Sequence, residues 1–373
     1  MTAHQKLSAP NHLIYLQIYS ASVFLFYIKD KERYMKKSYV LYGISGVLIG
    51  AIVILLINAF FINKGEHSVS TSKINPTEDK IFFIYSNPLI KKSVLISTSQ
   101  GEKFNKRYFK VPDIPYIQKK TPSSDDIVLL AEHEPYYYTL KNNTIKEHQL
   151  SNPFAFWYQG EDISVKAYNV DTNGNELKVN DKKFNKKYSL TLPSLVTMGE
   201  SDDKYIYVIQ EMSLYVIDRK TEEIIKTIGL ASYGDVFDHS EKYVVASSEH
   251  ELTVIEKGSW KSKFIKYPDD LEQADAVYYD KKSGKFYVTY INKSGYACLL
   301  EYDKDFSFEK FDLKFPYMNA KFKNQKLYVI SQEENKKGIG GYMGIFDIRT
   351  KKKLNEFDLP EEETKVQDFM VLD

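Results

Sequence analysis

The stretch KYIYVIQ (204–210), SLYVIDR (213–219), EIIKTIGL (223–230) decides the fold. It holds three short runs of Ile, Val and Tyr, separated by two and three residues. β-branched and aromatic residues suit a pleated, half-buried surface, and spacers this short join antiparallel strands. The pattern recurs: KYVVASS (242–248), ELTVIEK (251–257), KSKFIKYP (261–268); then KFYVTYIN (285–292), YACLLEYD (296–303), SFEKFDL (307–313); then KLYVISQ (326–332), GYMGIFDI (341–348), LNEFDLP (354–360). The units open at Lys204, Lys242, Lys285 and Lys326, which are 38, 43 and 41 residues apart. A further strand precedes each: LVTMGES (195–201), DVFDH (235–239), ADAVYYD (274–280) and MNAKFKN (318–324). An acidic residue closes the third strand of each unit (Asp218, Glu256, Asp303, Asp347), where a carboxylate starts a tight turn by accepting local amide hydrogens.

Four antiparallel strands per period of about 40 residues is the pattern of a propeller blade, a unit that cannot bury both faces alone but can do so in a ring. The N-terminal half fits less regularly. KIFFIYSN (80–87), SVLISTSQ (93–100) and NKRYFKVP (105–112) supply three strands. DIVLLAEH (126–133), PYYYTLKN (135–142) and TIKEHQL (144–150) supply three more after a weak strand near Tyr116. NPFAFWYQ (152–159), DISVKAYNV (162–170), NELKVND (175–181) and KKYSLTLP (186–193) make another unit. The expectation is an all-β, seven-bladed β-propeller of four-stranded blades over residues 80–373. The first unit lacks its innermost strand and the last segment, VQDFMVLD (366–373), is spare, so it is expected to complete blade one and close the ring.

The segments YVIDRKTEEIIKTI (215–228) and GIFDIRTKKKLNEFDL (344–359) carry a resemblance to the seven-bladed YVTN/WD40-like (quinoprotein-like) propellers, clear over 195–373. The Trp-Asp dipeptide of WD40 repeats proper is absent. The resemblance implies ligand binding at a central face. Such propellers include both binding scaffolds and enzymes, so the fold alone does not choose between them.

N-terminal to the repeat, residues 39–62 (YVLYGISGVLIGAIVILLINAFFI) form an uncharged apolar run longer than the ~20 residues a helix needs to cross a bilayer. Lys29, Lys31, Arg33, Lys36 and Lys37 precede it and Lys64 alone closely follows it. The positive-inside rule therefore predicts a transmembrane signal anchor with a cytoplasmic segment at 1–38 and the C-terminal domain outside. No small-residue cleavage site follows the run, which argues against a removed signal peptide. Within 1–38, Leu13–Ile28 reads as a short second apolar segment, and Met35-Lys36-Lys37 reads as an alternative start. Residues 63–79 are small and polar and read as a linker. Gly46 and Gly50 offer a helix-packing pair or are simply the small residues common in such helices. The chain as a whole is +1, and residues 1–64 hold seven basic against two acidic residues, so the exported part is mildly acidic. That balance excludes a nucleic-acid-binding class.

Chemistry is sparse. The single Cys, Cys298, excludes a disulfide framework and a cysteine zinc site. No phosphate-loop, nucleophile-elbow or zinc-protease motif is present, and no cofactor or metal is expected. Asp171–Asn175 has its Gly too early for a calcium loop and reads as a hairpin. Asp238-His239-Ser240 cannot form a triad, because neighbours on a strand face opposite ways. Asp235, Asp275, Asn319 and Asp368, with Asp113, stand where the chain enters the innermost strands. They read either as a polar ring around the channel mouth or as turn residues satisfying backbone amides. The aromatics Tyr116, Phe154, Phe156, Trp157, Tyr158, Tyr233 and Tyr317 read as a stacking platform or as packing between blades, with Trp157 and Tyr317 the strongest platform candidates. The expected function is a membrane-anchored extracytoplasmic scaffold that binds a protein or cell-envelope glycan at the central face, through Asp235, Asp275, Asn319, Asp368, Trp157, Tyr233 and Tyr317. The alternative is a lyase or hydrolase acting at the same face.

Overall fold

The runs rich in Val, Ile, Tyr and Phe form strands, and their burial shows why the apolar character is continuous rather than alternating. The second strand of the 204–230 unit, Tyr205–Gln210, is buried at nearly every position, whereas its last strand, Ile224–Gly229, is mostly exposed. Inner strands are covered by a neighbouring blade on each face; outer strands splay apart and meet water. The structure, a computed structural model, describes residues 80–372 apart from positions 91, 100, 102, 111–112, 132–133, 142–143, 172–173, 249 and 336–337, and apart from the side chains of 154, 170, 171, 235, 273 and 335. The expected membrane segment at 39–62 and linker at 63–79 lie outside the described residues.

The strands number 28 in chain order. Blade 1 holds β1 (Lys80–Tyr85), β2 (Ser93–Ser99) and β3 (Lys103–Phe109). Blade 2 holds β4 (Tyr116–Lys119), β5 (Ile127–Leu130), β6 (Tyr136–Lys141) and β7 (Thr144–Gln149). Blade 3 holds β8 (Phe154–Gln159), β9 (Ile163–Asp171), β10 (Gly174–Asp181) and β11 (Lys186–Leu192). Blade 4 holds β12 (Val196–Ser201), β13 (Tyr205–Gln210), β14 (Ser213–Asp218) and β15 (Ile224–Gly229). Blade 5 holds β16 (Gly234–His239), β17 (Tyr243–Ser248), β18 (Glu251–Glu256) and β19 (Ser262–Lys266). Blade 6 holds β20 (Leu271–Asp280), β21 (Lys285–Asn292), β22 (Tyr296–Tyr302) and β23 (Phe308–Pro316). Blade 7 holds β24 (Asn319–Lys323), β25 (Lys326–Asn335), β26 (Gly338–Asp347) and β27 (Lys353–Glu362). The last strand, β28 (Val366–Leu372), pairs antiparallel with β1 from Lys80↔Leu372 to Tyr85↔Val366 and becomes the innermost strand of blade 1. The seven sheets are a seven-bladed propeller, closed as expected from the spare C-terminal segment. The Asp171–Asn175 stretch is the β9–β10 hairpin.

Seven apolar clusters occupy the seven seams between consecutive blades, so the core is distributed around the ring. The turns after the third strands of blades 4, 6 and 7 add a polar latch. Asp218 Oδ1 accepts the amides of Lys220 (2.8 Å) and Thr221 (2.9 Å), and Asp347 Oδ1 those of Arg349 (3.0 Å) and Thr350 (2.7 Å). The turns after the third strands of blades 4 to 7 end on a side-chain-bearing residue with positive φ: Glu222 (69°), Trp260 (55°), Phe306 (64°) and Lys351 (60°). Each of the four reaches back to the preceding blade. Glu222 pairs with Lys186 at 2.5 Å; Trp260 meets Tyr205 edge-on at 5.1 Å; Phe306 meets Tyr243 edge-on at 5.1 Å; Lys351 pairs with Glu301 and lies 5.1 Å from the ring of Tyr287. The residue that directly follows Asp218 does the same. Arg219 is fully buried; its Nε and Nη2 donate to both oxygens of buried Asp181 in blade 3, at 2.6 and 2.9 Å.

Two outcomes are expected. Truncation after Pro360 removes β28 and leaves β1 as an unpaired inner edge, so chemical unfolding of the truncated protein should shift to much lower urea and lose its single sharp transition; an unchanged midpoint would show that closure does not hold the ring. At Trp260, Ala loses the Tyr205 contact and keeps the left-handed backbone, whereas Gly loses the contact but relieves the backbone. Trp260→Ala should therefore be less stable than Trp260→Gly by about 1 kcal/mol in urea melts.

Candidate functional site

Each innermost strand runs from one rim of the ring to the other. At the rim where these strands end, blades 4 to 7 enclose a cavity of about 630 Å³. Its wall carries Glu200 from the end of β12, Asp238 and His239 from the end of β16, Tyr278 and Tyr279 from the end of β20, and Lys281 from the following turn. Asn324 and Gln325, both in left-handed backbone (φ 50° and 62°), complete it from the turn after β24.

The cavity's charged groups are built from the same repeat position. Glu200 and Asp238 each stand four residues before the Lys that opens the next strand, Lys204 and Lys242. Asp238 is fixed: its Oδ1 accepts the His239 amide and its Oδ2 the Tyr279 amide of the next blade, both at 2.6 Å. Burial lifts its carboxyl to about 6 despite those two donors. Glu200 has no such clamp. Its Oε2 is buried and makes no hydrogen bond; burial first, and then the charge of Asp238, push its carboxyl well above the usual range. Both carboxyls therefore hold a proton more tightly than in water, and Glu200 can hydrogen-bond to a ligand hydroxyl.

His239 sits behind the pair, with Nε2 3.9 Å from Glu200 Oε2 and its ring 5.4 Å from that of Tyr207. The Lys257 ammonium lies 3.3 Å from Nδ1. An ammonium only donates, so Nδ1 accepts and the ring proton stands on Nε2, facing Glu200. Burial, and then Lys257, lower the His239 pKa to about 4. Lys257 is anchored to Asp202 of blade 4 at 2.6 Å. Burial opposes the charge on Asp202, but Lys257, the Tyr207 hydroxyl (2.6 Å) and two backbone amides hold it at about 2. The permanent ion pair lies behind the histidine and the neutralisable carboxyls face the cavity. Tyr278, stacked on Phe322 at 5.3 Å and 16°, supplies an aromatic wall.

The residues expected at the opposite rim, where the innermost strands begin, do not come together with this cavity. Asp368 is a buried fastener: Oδ2 accepts the Ile117 amide of blade 2 at 3.0 Å and Oδ1 pairs with Lys321 of blade 7. Asp275 lies at a bulge in β20 and interacts with the buried hydroxyl of Tyr317, which also lies 3.4 Å from Thr289 Oγ1. Tyr317 belongs to the apolar seam between blades 6 and 7. Trp157 is buried in the seam between blades 2 and 3, edge-on to Tyr137 at 5.3 Å. Asn319 is half-buried at the start of β24, and Tyr233 is exposed just before β16. Asp235 lies in β16, its side chain outside the described set. Of these, Asp368, Tyr317 and Trp157 hold blades together. The cavity residues were legible in one respect only, the shared repeat position of Glu200 and Asp238; nothing in the spacing marks which rim they reach. Among the described residues, no group of three or more His, Cys, Asp or Glu side chains is placed to hold a metal ion.

The site generates a pH test. Folded Asp238 keeps its proton up to about 6, whereas an unfolded aspartate releases it near ~3.9, so this group makes stability fall as pH rises through that interval. Folded His239 stays neutral down to about 4 against ~6.5 unfolded, so its contribution makes stability rise over the overlapping interval. The two oppose each other. In urea melts between pH 4 and 6.5, Asp238→Asn should steepen the rise of stability with pH and His239→Gln should reverse it. Parallel profiles for both variants would refute the assignment.

No protein-family model matches the chain. Two crystal structures share the fold at low identity: a protein from Lactobacillus plantarum (10% identity, TM-score 0.56, covering 79% of this chain and 99% of that one) and Saccharomyces cerevisiae Sqt1 (12%, TM-score 0.52, covering 83% and 92%). In sequence, the chain is 60% identical over 339 residues to the protein YeeG of Bacillus subtilis (strain 168), a match that spans 91% of this chain and 99% of that protein. At that identity and coverage the chain belongs to the YeeG family.

Proposed function

We propose that the protein is a membrane-anchored extracytoplasmic propeller that binds a hydroxyl-rich ligand, a cell-envelope glycan, at the rim where its innermost strands end. The observation that carries this reading is Glu200: a buried carboxyl oxygen without a hydrogen bond, in a cavity that also offers an aromatic wall (Tyr278) and amide-bearing side chains (Asn324, Gln325). Sugars are bound by such a combination, with rings against aromatic faces and hydroxyls on carboxyl and amide groups. Residues 39–62 would hold the ring at the membrane and 63–79 would give it reach, which follows from the uncharged run and the basic residues before it. A protein partner at the same rim is the other form of the binding reading.

A lyase or hydrolase is favoured by one observation, the adjacent Glu200 and Asp238 carboxyls with raised affinity for a proton, which suit an acid–base pair. Binding is preferred because both oxygens of Asp238 are engaged by backbone amides, which leaves Glu200 as the one carboxyl of the pair with an unengaged buried oxygen.

Purified protein incubated with fragmented envelope polysaccharide should retain a glycan fraction, and Glu200→Ala should lose at least tenfold in affinity. Turnover of the polysaccharide without stable retention would establish the enzymatic reading instead. For topology, an alkaline phosphatase fused after Asp373 should be active in intact cells; an inactive, stable fusion would place the domain in the cytoplasm.

A further inference from the structure

Among the described residues, six of the seven seams are filled by ten to thirteen buried apolar residues each. The seam between blades 2 and 3 has four: Val128, Leu130, Trp157 and Tyr168. The deficit lies on the outer strands of blade 3, where the face turned to blade 2 is polar. Register sets the rows: Trp157, Lys166, Lys178 and Ser189 are cross-strand neighbours, and Ser164, Asn180 and Lys187 form the row beside them. Contact of Lys166 with the rings of Trp157 (3.9 Å) and of Tyr137 in blade 2 (6.0 Å) fixes which side of the blade this is. A groove of about 460 Å³ runs across these residues.

Three ammonium groups thus share one face of a domain whose overall charge is acidic. Glu176, in the row containing Tyr168, balances Lys178 at 3.1 Å; across the seam blade 2 contributes a further cation, Lys146, beside His148, whose pKa is lowered by burial and then by Lys146 and Lys120. A cationic surface in place of an apolar one weakens the seam unless an anion occupies it. A second observation points the same way: the Ser164 hydroxyl is buried in the groove wall and makes no hydrogen bond.

We propose that this groove binds a phosphoryl group, held by Lys166, Lys178 and Lys187 with Ser164, Asn180 and Ser189 as neutral hydrogen-bond partners. A phosphoryl group has the charge for several ammonium groups and the oxygens for additional donors, which a single carboxylate lacks. The site stands on different residues and different blades from the glycan cavity and does not rest on that reading.

Trp157 reports on it directly, because the Lys166 ammonium lies over its ring. The chain has two tryptophans, so the full-length protein in detergent carrying Trp260→Phe has Trp157 as its one indole. Titration with inorganic phosphate, and separately with glycerol 1-phosphate, at constant ionic strength should shift the emission saturably, and each should raise the melting temperature of the unsubstituted protein. Free phosphate acting alone identifies a small anion; a tighter response to glycerol 1-phosphate identifies an esterified ligand; both support the site. Lys187→Ala and Lys178→Ala are exposed substitutions that leave the fold intact, and each should weaken the response about tenfold, the scale of one charge-assisted hydrogen bond. A response no larger than that to chloride, or one unchanged in both lysine variants, overturns the proposal.

Discussion

The ring depends on one pairing, that of β28 with β1, between residues nearly the whole domain apart in sequence. A blade of four strands has two apolar faces and one neighbour on each side. If a single blade lacks its inner strand, two seams lose their cover and the inner edge of the sheet is left with open amides and carbonyls. The pairing from Lys80↔Leu372 to Tyr85↔Val366 removes that edge. Asp368 then ties the closing strand to both sides, to the Ile117 amide of blade 2 and to Lys321 of blade 7, so three consecutive innermost strands share one carboxylate. Asp238 does the same kind of work between blades 5 and 6 through the Tyr279 amide. Asp368 and Asp238 are thus fasteners between innermost strands, which Glu200 in β12 is not.

Around that closure the seams are held by a repeated device. A side-chain-bearing residue in left-handed backbone costs roughly 1 kcal/mol or more, and the turns at Glu222, Trp260, Phe306 and Lys351, like that at Asn185 in blade 3, accept the cost after the third strand. What they gain differs in chemistry but not in direction: an ion pair from Glu222, edge-on aromatic contacts from Trp260 and Phe306, an ion pair and a cation–aromatic contact from Lys351, each made with the preceding blade. The turn aims one side chain backwards across the seam, and the sequence is free to choose which kind. That is why the repeat looks degenerate at these positions although the backbone repeats faithfully.

Strand order, blade number and closure followed from the opening lysines, the acidic turn residues and the spare C-terminal run, because each is a local rule repeated many times. The site did not follow. Asp368 and Asp238 look alike as aspartates in innermost strands, yet one is buried at the ring closure and the other stands beside a cavity; that difference is set by what neighbouring blades present. Trp157 and Tyr317 look like a platform in sequence because bulky aromatics stand beside turns, but both rings are covered by an adjacent blade. Glu200 carries no signal of its own beyond its match in register to Asp238. Its chemistry comes from burial and from the Asp238 carboxyl contributed by a different repeat.

In a ring where almost every inward position obeys the same rule, the departures from it carry the functional information. There are two. At the rim of blades 4 to 7, an apolar or clamped position is instead a carboxyl with an unengaged buried oxygen, backed by a neutral histidine and an ion pair that lies behind it. On β9 and β10 of blade 3, the face turned to blade 2 carries Lys166, Lys178, Ser164 and Asn180 where the other seams bury apolar side chains. Neither departure helps the ring to stand. A carboxyl at Glu200 and an ammonium at half-buried Lys166 add no apolar cover to the seams they border. The two departures differ in kind: at the rim a buried carboxyl beside an aromatic wall, at the flank a cluster of ammonium and hydroxyl groups.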